Sequence, residues 1–129
     1  MNRGFLQGER LTSLWPGASY VNLLGIDGYF KDPQDNFSNL FVPTIRRMRR
    51  LSSDPILITE TAGGPTAGKL RAVREIVAGV ARYHLAGFIW FDIAQQGNST
   101  HQNWLIETNP QALAAYRQAV RRYATPVVK

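Results

Sequence analysis

Three short apolar runs punctuate the chain: Val21 to Ile26, Ile56 to Thr59 and Phe88 to Phe91. None alternates cleanly between apolar and polar positions, which is the pattern of parallel strands covered on both faces. A longer amphipathic segment follows each run. From about Asn39 to Ser52, Phe41, Ile45 and Met48 share one helical face. From about Ala67 to His84, Leu70, Val73, Val77, Val80 and Ala81 form a stripe at steps of three and four. The third helix is predicted to start at Asn109-Pro110, an N-cap residue followed by proline at the first helical position. Leu113, Tyr116, Val120 and Tyr123 line one side of it, and Pro126 lies beyond its end.

The order is therefore β-α-β-α-β-α, which implies an α/β fold with a parallel sheet and right-handed crossovers. The apolar runs start about 32 to 35 residues apart. A (β/α)₈ TIM barrel of ~250 residues divides into units of about 31. The 129 residues thus suit about four units, of which three are visible after a lead-in of about twenty residues. The loops after the strands are long and polar: Lys31 to Ser38, Thr61 to Gly68, and Ile93 to Asn103. Those before the strands are short: Ser52-Ser53-Asp54 and Leu85-Ala86. Ligands of parallel α/β folds bind where the strands end, so the long loops mark the functional side.

Composition narrows the function classes. Apolar residues make up 44% of the chain, enough for a packed core, and there is no cysteine, so disulfides and thiolate chemistry are excluded. No apolar run approaches the ~20 residues of a membrane helix, and Met1 to Arg10 lack the apolar core of a secretion signal. The net charge of +6 is partly concentrated in Arg46, Arg47, Arg49 and Arg50. Ile45, Met48 and Leu51 interleave with them, so a solvated helix face is expected rather than a nucleic-acid surface. No G-x-G-x-x-G follows a strand and no spacing suits a metal, so neither cofactor nor metal is expected. His84 reads as a packed or capping residue and His101 as a loop residue. Asn36-Phe37-Ser38 and Asn98-Ser99-Thr100 match the glycosylation sequon, a pattern common by chance.

The strand ends carry the candidate chemistry: Asp27-Gly28-Tyr29-Phe30, Thr59-Glu60-Thr61 and Trp90-Phe91-Asp92. A carboxylate, a phenol and an indole converging on one cleft suit carbohydrate chemistry. The carboxylate can attack or stabilise an oxocarbenium-like centre. The phenol can hold the carboxylate by a hydrogen bond, and the indole offers a flat face with a free N–H. Each residue also has a plainer reading. Glu60 could cap a helix or pair with an arginine, Tyr29 could be a core tyrosine, and Trp90 could be packing. Asp27 and Asp92 could face the cleft or tie down loops. Trp104, in a polar loop on the functional side, is a candidate outer sugar contact.

The stretch Trp15-Pro16-Gly17 through Tyr20-Val21-Asn22-Leu23-Leu24-Gly25-Ile26-Asp27-Gly28-Tyr29 resembles the sixth-strand signature of family 26 glycoside hydrolases, the β-mannanase family. Pro55-Ile56-Leu57-Ile58-Thr59-Glu60-Thr61 resembles that family's seventh strand. Gly87-Phe88-Ile89-Trp90-Phe91-Asp92, with Asn103-Trp104-Leu105-Ile106, resembles its eighth strand and the following loop. The resemblance implies that residues 1–129 are the C-terminal portion of a catalytic barrel, about its last three β/α units. It makes Glu60 the nucleophile of a retaining, endo-acting hydrolase on β-mannan or a related β-1,4-glycan. Tyr29 would orient that nucleophile and Trp90 would be the sugar platform. Asp27, Trp104 and Asp92 are further substrate-binding candidates.

The partners implied are a polysaccharide or oligosaccharide substrate and the N-terminal half of the barrel, with no nucleic acid and no membrane. The acid/base glutamate of such enzymes ends the fourth strand, which strand counting puts ahead of this chain, so the chain alone is expected to be nearly inactive. The parent protein is expected to be extracellular or periplasmic. Hydrolysis of another β-glycan (cellulose, xylan or β-glucan) and carbohydrate binding without catalysis are the rival expectations.

Overall fold

The computed structural model describes residues 11–94 and 102–123. A one-turn helix, α1 (Leu11–Leu14), precedes β1 (Leu24–Phe30). Then come α2 (Phe37–Leu40), α3 (Val42–Leu51), β2 (Ile56–Gly63), α4 (Lys69–Arg82), β3 (Gly87–Trp90) and α5 (Pro110–Tyr123). Short 3-10 turns at Thr66–Gly68 and Ile106–Thr108 lead into α4 and α5. The sheet is parallel throughout, in the order β1-β2-β3. Two boundaries differ usefully from the expectation. β1 starts at Leu24 rather than Val21 and runs on through Tyr29 to Phe30, and β2 runs on through Glu60 to Gly63. Asp27 and Glu60 therefore sit within strands, whereas Asp92 follows β3.

Local chemistry explains the helix ends. Asn36 and Asn39 cap α2 reciprocally, each side-chain oxygen accepting from the other's backbone N–H at 2.9 Å. A third N–H, that of Phe37, donates to the Glu75 carboxylate of α4 at 2.8 Å. Phe41 interrupts the helix and Pro43 falls in the first turn of α3. α4 ends where His84 adopts a positive φ of 50° and the N–H of Leu85 reaches back to the Val80 carbonyl at 3.0 Å. That is a left-handed C-terminal cap. His84 thus closes the helix with its backbone, and its side chain is exposed.

The helices cover one face of the sheet. Leu24, Ile26, Gly28 and Phe30 of β1 and Ile56 and Ile58 of β2 point into a core with Phe37, Phe41, Ile45, Met48, Val73 and Ile76. Gly28 is required there, because a Cβ would lie 2.7 Å from the Phe41 ring. On the other face Asp27 and Thr59 are exposed, Leu57 and Tyr29 are half-buried, and Ile89 is 52% exposed. This face is open at Asp27, Thr59 and Ile89 and closed at its upper end, where Ala62, level with Tyr29, is fully buried and Trp104 lies against Tyr29.

The helical stripes also differ from those expected. The contact line of α4 is Ala72, Val73, Ile76 and Gly79, with Leu70, Val77 and Val80 flanking it half-buried and Ala81 exposed. Ala72 and Gly79, small residues outside the expected stripe, let the helix approach closely. On α5 only Ala112 is fully buried, while Val120 and Tyr123 are exposed beside an apolar groove shared with α4 and the start of β3.

Two outcomes are expected. Replacing an interior helix glycine with alanine ordinarily gains about 1 kcal/mol. At Gly79 a Cβ would lie 2.3 Å from the Phe37 ring, so Gly79→Ala should instead cost about 1–3 kcal/mol in urea unfolding. The edges of β1 and β3, unpaired among the described residues, and the open part of the sheet face should make the 129-residue chain associate. Sedimentation that shows a monomer across the micromolar range would contradict this.

Candidate functional site

The site is organised by one irregularity. β1 pairs with β2 as Ile26↔Ile58, then as Asp27↔Glu60. β3 pairs with β2 as Ile58↔Phe88, then as Thr61↔Trp90. β2 therefore carries one residue more than either neighbour at this level. Strict alternation from Ile56 and Ile58 would send Glu60 into the helix layer. The extra residue, Thr59, resets the alternation. Glu60 comes level with the exposed Asp27, and Thr61 returns to the core side, fully buried. The Thr59 hydroxyl lies 2.6 Å from Asp27 Oδ1 and 3.3 Å from the Ile26 carbonyl, which pins the bulge to β1. Gly25 leaves the space, since a Cβ there would sit 2.8 Å from Thr59 Cγ2. Glu60 itself is half-buried and makes no hydrogen bond or ion pair with a described residue. Among the described residues it neither caps a helix nor pairs with an arginine.

Beside the carboxylates stands an aromatic wall. The Tyr29 ring lies 5.0 Å from that of Trp104 and meets Phe91 edge-on at 6.0 Å. Lys31 Nζ lies 5.6 Å from the Tyr29 ring centroid. The arrangement bears on the roles expected of Tyr29, Trp90 and Asp92. The Tyr29 hydroxyl makes no hydrogen bond to Glu60 among the described residues. Trp90 is only 7% exposed, and its indole N–H donates to the Trp104 carbonyl at 2.9 Å, so it offers neither the bare face nor the free N–H of a platform. Alternation along β3 explains this: Phe88 and Trp90 face the helices, and the next residue, Phe91, faces Tyr29. Asp92 accepts from the N–H of Ile106 at 2.8 Å and so holds the turn before α5. Asp27 stays on the open face with Glu60, and Trp104 is half-buried against Tyr29. His101 lies outside the described residues.

The loops after the strands meet at Gly64. Its N–H donates to the Phe30 carbonyl and its carbonyl accepts from the N–H of Asn103, both at 3.0 Å. A Cβ at Gly64 would fall 1.5 Å from Gln102 Oε1 and 3.1 Å from the Trp104 ring. Lys69, the first residue of α4, is 0% exposed. Its ammonium donates to the Gly64 carbonyl at 3.0 Å and to the Asn103 carbonyl. Burial pushes its pKa below the usual 10.5, and the negative charge of Asp92 partly opposes that shift.

Sequence reasoning missed Thr59, Phe91 and Lys69. An odd residue inside a strand leaves no compositional mark, and Phe91 differs from Trp90 only by parity. The lysine next to Gly68 had a faint signal, being one of three lysines in an arginine-rich chain. Among the described residues, no group of three or more His, Asp or Glu could hold a metal, and no helix is long and apolar enough to cross a membrane.

The chain is similar to Endoglucanase H of Acetivibrio thermocellus, with 27% identity over 116 residues. The match covers 82% of this chain and 12% of that protein. No family model matches. The similarity supports a relationship to glycoside hydrolases and does not single out the β-mannanase family.

The buried lysine makes a signed prediction. Its folded pKa lies below 10.5, so between the two values the unfolded chain binds more protons and stability rises with pH. The neutral amine keeps two N–H donors for its two carbonyls. Urea unfolding of the native chain and of Lys69→Met from pH 7 to 10 should show the difference growing in favour of lysine as pH rises.

Proposed function

We propose that this chain supplies the nucleophile side of a retaining, endo-acting glycoside hydrolase on a β-1,4-linked glycan, within a (β/α)₈ barrel. The observation that carries the reading is the bulge at Thr59. It turns an otherwise unengaged carboxylate, Glu60, onto the open sheet face beside Asp27 and next to an aromatic wall. Similarity to an endoglucanase supports the same reaction class.

In this reading Glu60 attacks the anomeric carbon and forms a glycosyl ester while the C–O bond to the leaving sugar breaks. A second carboxyl about 5–5.5 Å away protonates the leaving oxygen, then deprotonates the water that releases the sugar from Glu60. That acid/base comes from a strand outside those described here. Asp27, bonded to Thr59, fixes the bulge and hence the aim of Glu60. Tyr29, Phe91 and Trp104 present the apolar faces against which a sugar ring packs.

Two polymer backbones compete. The strand motifs resemble those of β-mannanases, whereas the similar protein is named an endoglucanase. Initial rates of a completed barrel on mannan, β-glucan and xylan separate them.

Glu60→Ala in that completed barrel should lower kcat by roughly 10⁴-fold or more. Azide should restore turnover by filling the space of the lost carboxylate and attacking in its place, releasing a glycosyl azide of inverted configuration. Full activity in Glu60→Ala would remove Glu60 from the mechanism.

A further inference from the structure

We propose that Lys69 is a positioning residue whose ammonium joins the loops after β2 and β3 and thereby holds Trp104 against Tyr29. As an account of the sugar-binding site it rests on the function proposed above. As an account of the aromatic wall it stands on geometry alone.

A cation buried in a small α/β unit is costly unless its donors are all used where nothing else reaches. Lys69 is 0% exposed and no carboxylate is bonded to it. Two backbone carbonyls receive two of its three protons, that of Gly64 after β2 and that of Asn103 after β3. These are also the two residues whose backbones bond each other at 3.0 Å. The residue after Asn103 is Trp104. Its carbonyl accepts the Trp90 indole N–H at 2.9 Å, and its ring lies 5.0 Å from Tyr29.

Lysine suits the place because its stem is long and unbranched and its head is compact. It can rise from the start of α4 through the core side and still present separate protons to two acceptors. A methionine would fill the same space with no donor, leaving the two carbonyls short of one bond each. The segment from Gln102 to Trp104 would then be tied by Gln102 to the Lys31 carbonyl, by Asn103 to Gly64 and by Trp90. The Trp104 ring would lose its fixed distance from Tyr29.

The test uses the whole chain labelled with 5-fluorotryptophan, the Trp104 resonance being assigned by its loss in Trp104→Phe. Binding of cellohexaose and mannohexaose is measured by calorimetry on the same samples. Lys69→Met should shift or broaden the Trp104 resonance and weaken hexaose binding about tenfold, the worth of one aromatic contact. Val73→Ala, equally buried and one turn further along the same face of α4 but bonded to neither loop, should lower stability without changing the affinity. If Lys69→Met does not fold, Gly64→Ala serves instead, since its Cβ displaces the Gln102–Trp104 segment with Lys69 intact; it should reproduce both changes. An unmoved Trp104 resonance, or a moved one with hexaose affinity unchanged, overturns the proposal. If the native chain binds neither hexaose, the functional reading falls. The fluorine spectrum alone then decides, with movement of the Trp104 resonance supporting the role of Lys69 in the aromatic wall and its constancy rejecting it.

Discussion

The orientation of the candidate site depends on a single residue inserted into a parallel ladder. A parallel strand has a period of two, so which side chains reach the core and which reach the opposite face is decided by parity. Thr59 breaks the parity of β2 once, at the level where β1 carries Asp27. Below the break Ile56 and Ile58 serve the core, and above it Thr61 does so. Glu60 belongs to neither set. Its exclusion from the core follows from the ladder itself and needs no loop. The Thr59 hydroxyl and the missing side chain of Gly25 hold the break in place.

Above the break the architecture is held mostly by backbone carbonyls. Gly64, Asn103 and Trp104 each offer theirs, to Asn103 and Lys69, to Lys69, and to Trp90 respectively. Loops near a site are often the least ordered part of a fold. Here a buried amine, an indole N–H and a glycine with no room for a Cβ convert two of them into a fixed wall. The aromatic groups of that wall come from β1, from the residue after β3, and from the loop beyond it.

Much of this was legible from the chain. The alternation of elements, the loop after β1 and the short connections before β2 and β3 follow from apolar runs and punctuation, whereas the loop expected from Thr61 to Gly68 is mostly strand and a 3-10 turn. Glu60, Asp27, Tyr29 and Trp104 lie together at the end of the sheet predicted to be functional. What failed did so for definable reasons. Trp90 and Phe91 are adjacent aromatic residues, and composition cannot tell which faces the helices. The expected stripe on α4 includes Ala81, which is exposed, and omits Ala72 and Gly79, which are buried. Asp92 was open between two roles, and a bond to the N–H of Ile106 makes it a loop tie. The bulge has no signature at all, because a threonine before a glutamate is ordinary in a strand.

The pairing of Leu24 with Ile56 has a consequence for how the molecule comes into being. The partners stand 32 positions apart in the chain, and none of the three described strands is joined to another by a hairpin. Closing a loop of that length costs about 3 kcal/mol of chain entropy before any ladder bond forms. Assembly must therefore be slow relative to helix formation, and the helices have to be in place to receive the strands. On a growing polypeptide the order of appearance becomes the order of assembly. β1 waits, unpaired and apolar, until α2, α3 and β2 have been made, and during that interval it needs shelter from other chains.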